Sequence, residues 1–247
     1  MVHVILTGAT GNVGAPLLRY CLGSPKVTEL SILSRRQFPL PEGEGLDPKK
    51  ANIIVHGDYA SYPEELKEKL KGAEACIWAQ GISQTEVSKE DYVRITYDYP
   101  MAAAKSFASL SNSGKFNFVY VSGEGADPNE KAWTLFGKIK GRAEKHLLAL
   151  PSDPAYSALR IFNVRPGLVT PPNTDRPRGA AKKVLIDWVF GPVFKTLAPG
   201  SVSPTSELSK VLVDLATGDG SALKEGPGIE AEGRCVRSSA IRKLAKE

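Results

Sequence analysis

The chain has 247 residues, 42% hydrophobic and 24% charged, and a formal net charge of +5 from 32 basic and 27 acidic side chains. These are ordinary globular values, so global disorder is excluded and one core can bury most of the apolar surface. The mild basicity suits an anionic small ligand. No basic run is interleaved with aromatics, so no nucleic-acid partner is expected. Cys21, Cys76 and Cys235 are odd in number and lack a CxxC spacing, which argues against a metal site or disulfide framework and for a reducing compartment. No stretch reaches the roughly 18 apolar residues of a membrane span. The opening MVHVILTGATG lacks the basic lead-in of a signal peptide. A cytoplasmic protein is the expectation.

Strand-like and helix-like segments alternate from the start, the pattern of a parallel sheet covered on both faces. Val2–Thr7 reads as a strand, followed by a glycine turn and a helix through Leu17, Leu18 and Cys21. Glu29–Ser34 is a second strand, the charged and Pro/Gly-rich stretch 37–50 a surface loop, and Asn52–His56 a third strand. Pro63 and two acids open the next helix, where the dipole favours them. Ala75–Ala79 is a fourth strand. Lys89–Ser111 is a long helix whose Ala102–Ala104 patch allows close packing. Phe116–Ser122 is a fifth strand, Glu130–Leu150 a helix with Leu135, Ile139, Ala143, Leu147 and Leu150 on one face, and Tyr156–Val164 a sixth strand. Beyond residue 170 the pattern changes. A Pro-rich stretch, 170–179, precedes an apolar helix pair over 180–197, a helix over Glu207–Thr217 and a short basic tail helix. The expectation is one domain, 1–247, with its core over about 1–169 and a small, mainly helical cap over about 170–247.

The strongest motif is Thr7-Gly-Ala-Thr-Gly-Asn-Val-Gly14, set between a strand and a helix, the context that gives a glycine pattern meaning. Gly8 permits the tight turn, Gly11 leaves room for a pyrophosphate, and Gly14 seats the helix on the strand. Thr10, Asn12 and Val13 complete the turn, and the helix N-terminus offers free N–H groups to the anion. The fold class that follows is α/β, a Rossmann-type doubly wound parallel sheet. At the end of the second strand an NAD site usually carries an acid, whereas here Arg35 and Arg36 stand there. Their planar forks suit a ribose 2′-phosphate. NADP(H) is therefore the expected cofactor, against the alternative that both arginines only border a solvated loop. Asp58, after the third strand, is placed to accept from the adenine amine, unless it is simply a turn residue.

With those residues in place, the chain resembles the short-chain dehydrogenase/reductase superfamily, in its atypical and extended branches. Besides the glycine turn, Ala79-Gln80-Gly81 resembles the segment that lines the cofactor, Tyr120-Val121-Ser122 the strand-end serine, and Arg165-Pro166-Gly167 the step near the nicotinamide. Ser122–Asp127 and Lys138–Glu144 are similar to the Tat-interacting-protein-like reductases and NmrA-like regulators. The resemblance implies a catalytic Ser, Tyr and Lys, the last two in a YxxxK spacing that shares one helical face. Ser122 and Lys140 match, but the tyrosine position holds Phe136. A phenyl ring cannot exchange a proton.

Substitutes for the phenol are few. Tyr120 alternates with Ser122 but suits sheet packing better. Glu124 lies beyond a strand's carboxyl end, where such sheets place ligands, and is a candidate acid or base if desolvated. Trp133 could border a pocket. His3, His56 and His146 form no triad, and no metal constellation is expected. The apolar pair Val184–Leu197 reads as a lid, a homodimer face, a membrane-surface contact or plain packing. Three functions remain open: an NADP(H)-dependent oxidoreductase or non-redox isomerase or cyclase acting on a small apolar substrate, an NmrA-like sensor without turnover, and a scaffold.

Overall fold

A computed structural model describes residues 2–170 and 202–247. The Pro-rich stretch and apolar helix pair read from the sequence over 171–201 lie outside the described residues. Strands β1 (Val2–Thr7), β2 (Val27–Ser34), β3 (Ala51–Val55), β4 (Ala75–Trp78), β5 (Phe116–Val121) and β6 (Leu159–Arg165) follow the predicted order. Two short pieces, β7 (Leu168–Thr170) and β8 (Val202–Pro204), pair in parallel as a separate ribbon. The last strands are β9 (Ile229–Glu230) and β10 (Cys235–Arg237). The main sheet has the order β3-β2-β1-β4-β5-β6-β10-β9, parallel throughout except for β9 against β10. This is the Rossmann-type doubly wound sheet, and its order reverses between β1 and β4. Ligands of such sheets bind at the carboxyl ends beside that reversal.

Strict alternation of side chains builds two cores from one sheet. Val4, Leu6, Ile77, Val119 and Val121 face α1 (Gly14–Gly23), α6 (Thr205–Thr217) and α7 (Ser238–Leu244). Ile5, Cys76, Trp78, Phe118 and Tyr120 face α2 (Glu64–Lys69), α4 (Tyr99–Phe107) and α5 (Leu135–Ala149) on the other side. Ala103 and Ala104 are wholly buried, as the small-residue patch predicts.

Three differences from the sequence reading have identifiable causes. The long helix read over Lys89–Ser111 runs as α3 (Lys89–Val93), a π-helical turn over Arg94–Asp98, and α4. Pro100 has no N–H to give the Thr96 carbonyl four residues back. Tyr120 supplies the donor instead, its hydroxyl 2.9 Å from that oxygen. Helix α5 begins at Leu135 rather than Glu130, because Asp127 turns the chain first. Its carboxylate accepts from Asn129 and Lys131 N–H, Glu130 takes a left-handed φ of 58°, and Thr134 caps the helix by accepting from Gly137. Residues 202–247, assigned from sequence to the cap side, supply α6 to one face of the sheet and its last two strands, β10 and the edge strand β9. A three-residue strand is too short to show alternation, so β10 has no signature of its own.

Candidate active site

The glycine turn sits at the carboxyl end of β1, where each glycine answers a different need. Gly8 has φ +68°, and a Cβ there would lie 2.4 Å from the Ala79 carbonyl oxygen. A Cβ on Gly14 would lie 1.9 Å from the Gly8 oxygen, so this glycine lets α1 press onto the turn. Gly11 differs. Its Cβ would meet only the Gly8 oxygen, at 3.1 Å, and the residue borders open space. The fold therefore needs glycine less at 11 than at 8 or 14, and a ligand packed on the turn would need it as well. Gln80 is tied to this strand end, its N–H donating to Thr7 Oγ1 at 3.3 Å.

A cleft of about 1260 Å³ opens across these strand ends. Among the predicted residues Gly11, Asn12, Val13, Ala79, Gln80, Gly81, Ser122, Glu124, Lys140 and Pro166 line it. Gly8 and Gly14 support it from behind, and Thr10 is half-buried in the same turn. Arg35 and Arg36 follow β2 on the exposed rim. Asp58 is also exposed and folds back to accept from Ala60 N–H at 3.1 Å, as a turn residue does.

Lys140 is 8% exposed, and its ammonium donates to the Val121 carbonyl at 2.8 Å with the Tyr120 ring 4.6 Å away. Burial pulls its pKa down to about 8, against the opposing pull of Glu144 one turn along α5. The next residue after Val121 is Ser122, whose buried hydroxyl lines the cleft without a hydrogen-bond partner. Gln80 Oε1 is likewise buried and unpartnered. Buried polar atoms of this kind are uncommon and call for a partner. Phe136 takes the position where YxxxK would place a phenol. Its ring lies on Gly123, where a Cβ would come within 2.7 Å of Cζ, and its N–H donates to Gln84 Oε1 at 2.7 Å.

Other candidates are committed elsewhere. Tyr120 is fully buried in sheet packing. Glu124 accepts from Ser238 N–H at 2.8 Å and from Arg237 at 2.9 Å, clasping the loop after β5 to the start of α7. Trp133 is fully exposed and is not among the described lining residues. His3 meets Ser31 at 2.9 Å, the His56 ring packs at a tilt against Tyr62, and His146 meets the Tyr97 hydroxyl at 2.6 Å. Among the described residues no cluster of ligating side chains could hold a metal. The sequence reading missed Ile82, Ser83, Leu168, Val169, Arg237 and Ser238 as lining residues. The last two could have been found from the strand-end rule had β10 been legible.

No family model matches the chain. Leucinostatins biosynthesis cluster protein T of Purpureocillium lilacinum is 33% identical over 98% of this chain and 94% of its own length. The mitochondrial protein FMP52 of Debaryomyces hansenii is 30% identical over 90% and 93%. The chain belongs to the atypical short-chain dehydrogenase/reductase family. A short-chain type dehydrogenase/reductase from Mycobacterium ulcerans shares the fold, with a TM-score of 0.67 at 15% identity over 98% of this chain and 90% of that one. The superfamily is NAD(P)-binding and oxidoreductase-like, and in this chain Lys140, Ser122 and Phe136 all line the cleft.

Proposed function

We propose that the chain is an NADP(H)-dependent oxidoreductase acting on a small, apolar substrate, and that it works without the phenol that a YxxxK spacing would supply. The observation that carries this reading is the cleft wall itself. Ser122 offers a buried, unpartnered hydroxyl, and Lys140 is held one residue away on the Val121 carbonyl. A dinucleotide fits the residues present: Gly11, Asn12 and Val13 border the cleft at the N-terminal end of α1, and Gln80 Oε1 lacks a donor. Arg35 and Arg36 would take the 2′-phosphate.

When bound, NADPH would supply a hydride to an electrophilic carbon. The Ser122 hydroxyl would donate to the substrate oxygen, and the Lys140 ammonium, titrating near pH 8, would replace the proton lost through it. Glu124, held by Arg237 and Ser238, would position the loop that carries Gly123. Phe136, Ile82, Leu168 and Val169 give the substrate side an apolar lining. The name of the Purpureocillium relative places that protein in a biosynthesis cluster, which accords with a small-molecule substrate. The same wall without hydride transfer would serve an isomerase or cyclase.

A second reading, a dinucleotide sensor without turnover, is favoured by the Phe136 ring seated on Gly123. Calorimetric titration with NADPH and NADH, followed by a carbonyl panel read at the reduced-nicotinamide absorbance, separates the two. A charge-assisted bond contributes roughly 1.5–3 kcal/mol, so NADPH should bind at least about tenfold tighter. Equal affinities would remove the NADP(H) assignment, and tight binding with no turnover on any substrate would favour the sensor. Among the described residues no helix is long and apolar enough to cross a membrane. We assign the chain to the cytoplasm on its three free, buried cysteines. FMP52 is named as mitochondrial, and imaging of a tagged full chain distinguishes the two compartments.

A further inference from the structure

A second hollow, of about 490 Å³, lies toward the amino-terminal ends of β6 and β10, at the opposite end of the strands from the cleft. Leu148, Pro151 and Ile161 give it an apolar wall, and Arg160 and Arg234 bring two cations to it. Arg160 donates Nη1 to the carbonyls of Ser157 and Leu159, at 2.8 and 2.9 Å. Arg234 donates Nη1 to the Gly220 carbonyl at 2.8 Å, with its guanidinium stacked 4.8 Å from the centre of the Phe162 ring. Gly220 joins the two, since a Cβ there would lie 2.8 Å from Arg160 Cγ. Burial and the Arg160 charge both lower the Arg234 pKa, with Asp219, the neighbour of Gly220, as the opposing influence.

Neither guanidinium forms an ion pair within 4.0 Å with a carboxylate among the described residues. Asp219 is occupied by Ser221. Glu232 lines the hollow, but only its main chain is tied down, its N–H donating to Glu225 Oε1 at 2.9 Å. Two like charges brought together at a partly buried site repel unless an anion joins them. Each fork keeps N–H groups that no carbonyl uses, and a planar fork matches an oxyanion. The volume falls within the range of small-molecule pockets, roughly 300–1,000 Å³.

We propose that this hollow binds the oxyanion of a small molecule, a carboxylate or phosphate monoester, with its apolar body resting on Leu148, Pro151 and Ile161. The site is separate from the dinucleotide cleft and does not depend on the function assigned to that cleft.

Nitrogen-15 amide spectra of the full chain in a low-salt, phosphate-free buffer test this. Phenyl phosphate and benzoate would be titrated separately to about 20 mM, enough to saturate a millimolar site. Saturable shifts at Leu148, Arg160, Ala231 and Glu232 with either compound support the proposal, and the tighter of the two names the oxyanion. Arg160→Gln should weaken binding by about tenfold, the loss of one charge-assisted bond. Arg160→Lys, which keeps the charge without the fork, should fall between the two. Shifts confined to Gly8–Val13 and Arg35, linear non-saturating shifts, or unchanged affinity in a folded Arg160→Gln variant would each overturn it. The map on the unaltered chain decides the matter even if both variants fail to fold.

Discussion

Three residues at the cleft give separate tests. A Cβ at Gly11 would meet only the Gly8 oxygen, at 3.1 Å, where those at Gly8 and Gly14 would come within 2.4 and 1.9 Å of backbone, so Gly11→Ala should lower the melting temperature far less than Gly8→Ala while weakening both dinucleotides. Unaltered NADPH affinity in calorimetry would show that the turn does not hold the pyrophosphate. Phe136→Tyr probes the missing acid. General acid catalysis typically supplies about 10²–10⁴-fold, but a chain already using Ser122 and Lys140 should gain little on simple ketones, and a gain of that full size would mark a lapsed phenol mechanism. The proposed proton path also fixes a sign. An ammonium that gives up its proton must be charged first, so carbonyl reduction should fall as pH rises through about 8, the value to which burial pulls Lys140. A profile flat from pH 6 to 10 would take Lys140 out of the path. At this scale the turn was legible from the spacing of Gly8, Gly11 and Gly14, whereas Lys140 came into view only through the resemblance to a YxxxK spacing, and both lie at the one cleft. Glu124 was less legible, since its hold on Arg237 and Ser238 spans more than a hundred residues.

At the scale of elements, the sheet edge depends on one buried pair. Arg165 at the end of β6 meets Glu144 of α5 at 2.5 Å through Nη2 and 2.9 Å through Nε, and reaches Glu230 of β9 at 3.3 Å. Arg237 of β10 then joins Glu230 to Glu124. Alternating charges thus connect α5, β6, β9, β10 and the loop after β5. Removing one member of a buried pair strands the other, at about 3–5 kcal/mol. Glu144→Ala should cost about that much in urea unfolding, whereas the double variant Glu144→Leu, Arg165→Leu should cost less than the single one. The reverse order would show that the pair itself, rather than the orphaned charge, governs the edge. Strands β1 to β6 and helices α1, α5 and α6 were readable because each is long enough to show its period. The π turn was not, since it needs the pairing of Pro100 with Thr96 and Tyr120 across the fold. Nor was β10, whose three residues show no alternation.

For the whole molecule, burial sets the pH range of stability. Burial raises the pKa of Cys21, Cys235 and Tyr59 to about 12 each, and raises those of Cys76 and Tyr120 as well. Such groups stay protonated in the fold and ionise first in the unfolded chain, so the unfolded state holds fewer protons and stability falls as pH rises past about 9. The slope approaches about 1.4 kcal/mol per pH unit for each group titrating only when unfolded. Lys140 contributes the opposite sign between about 8 and its unfolded value, but it is one group against several. His3, lowered by burial, removes stability as pH drops below its ordinary 6.5. Thermal melts under reducing conditions should therefore show a plateau from about pH 6.5 to 9 with a steep alkaline fall, and a midpoint still rising at pH 10 would contradict this account. The same cysteines have a kinetic meaning. Cys21 lies in α1, Cys76 in β4 and Cys235 in β10, and all three are free and buried. A thiol reagent reaches each only when its own element opens, so the three labelling rates form a clock with one hand in a covering helix, one in the sheet centre and one in the strand next to its edge. Dinucleotide bound across the β1–β4 reversal should slow the first two hands and leave the third running.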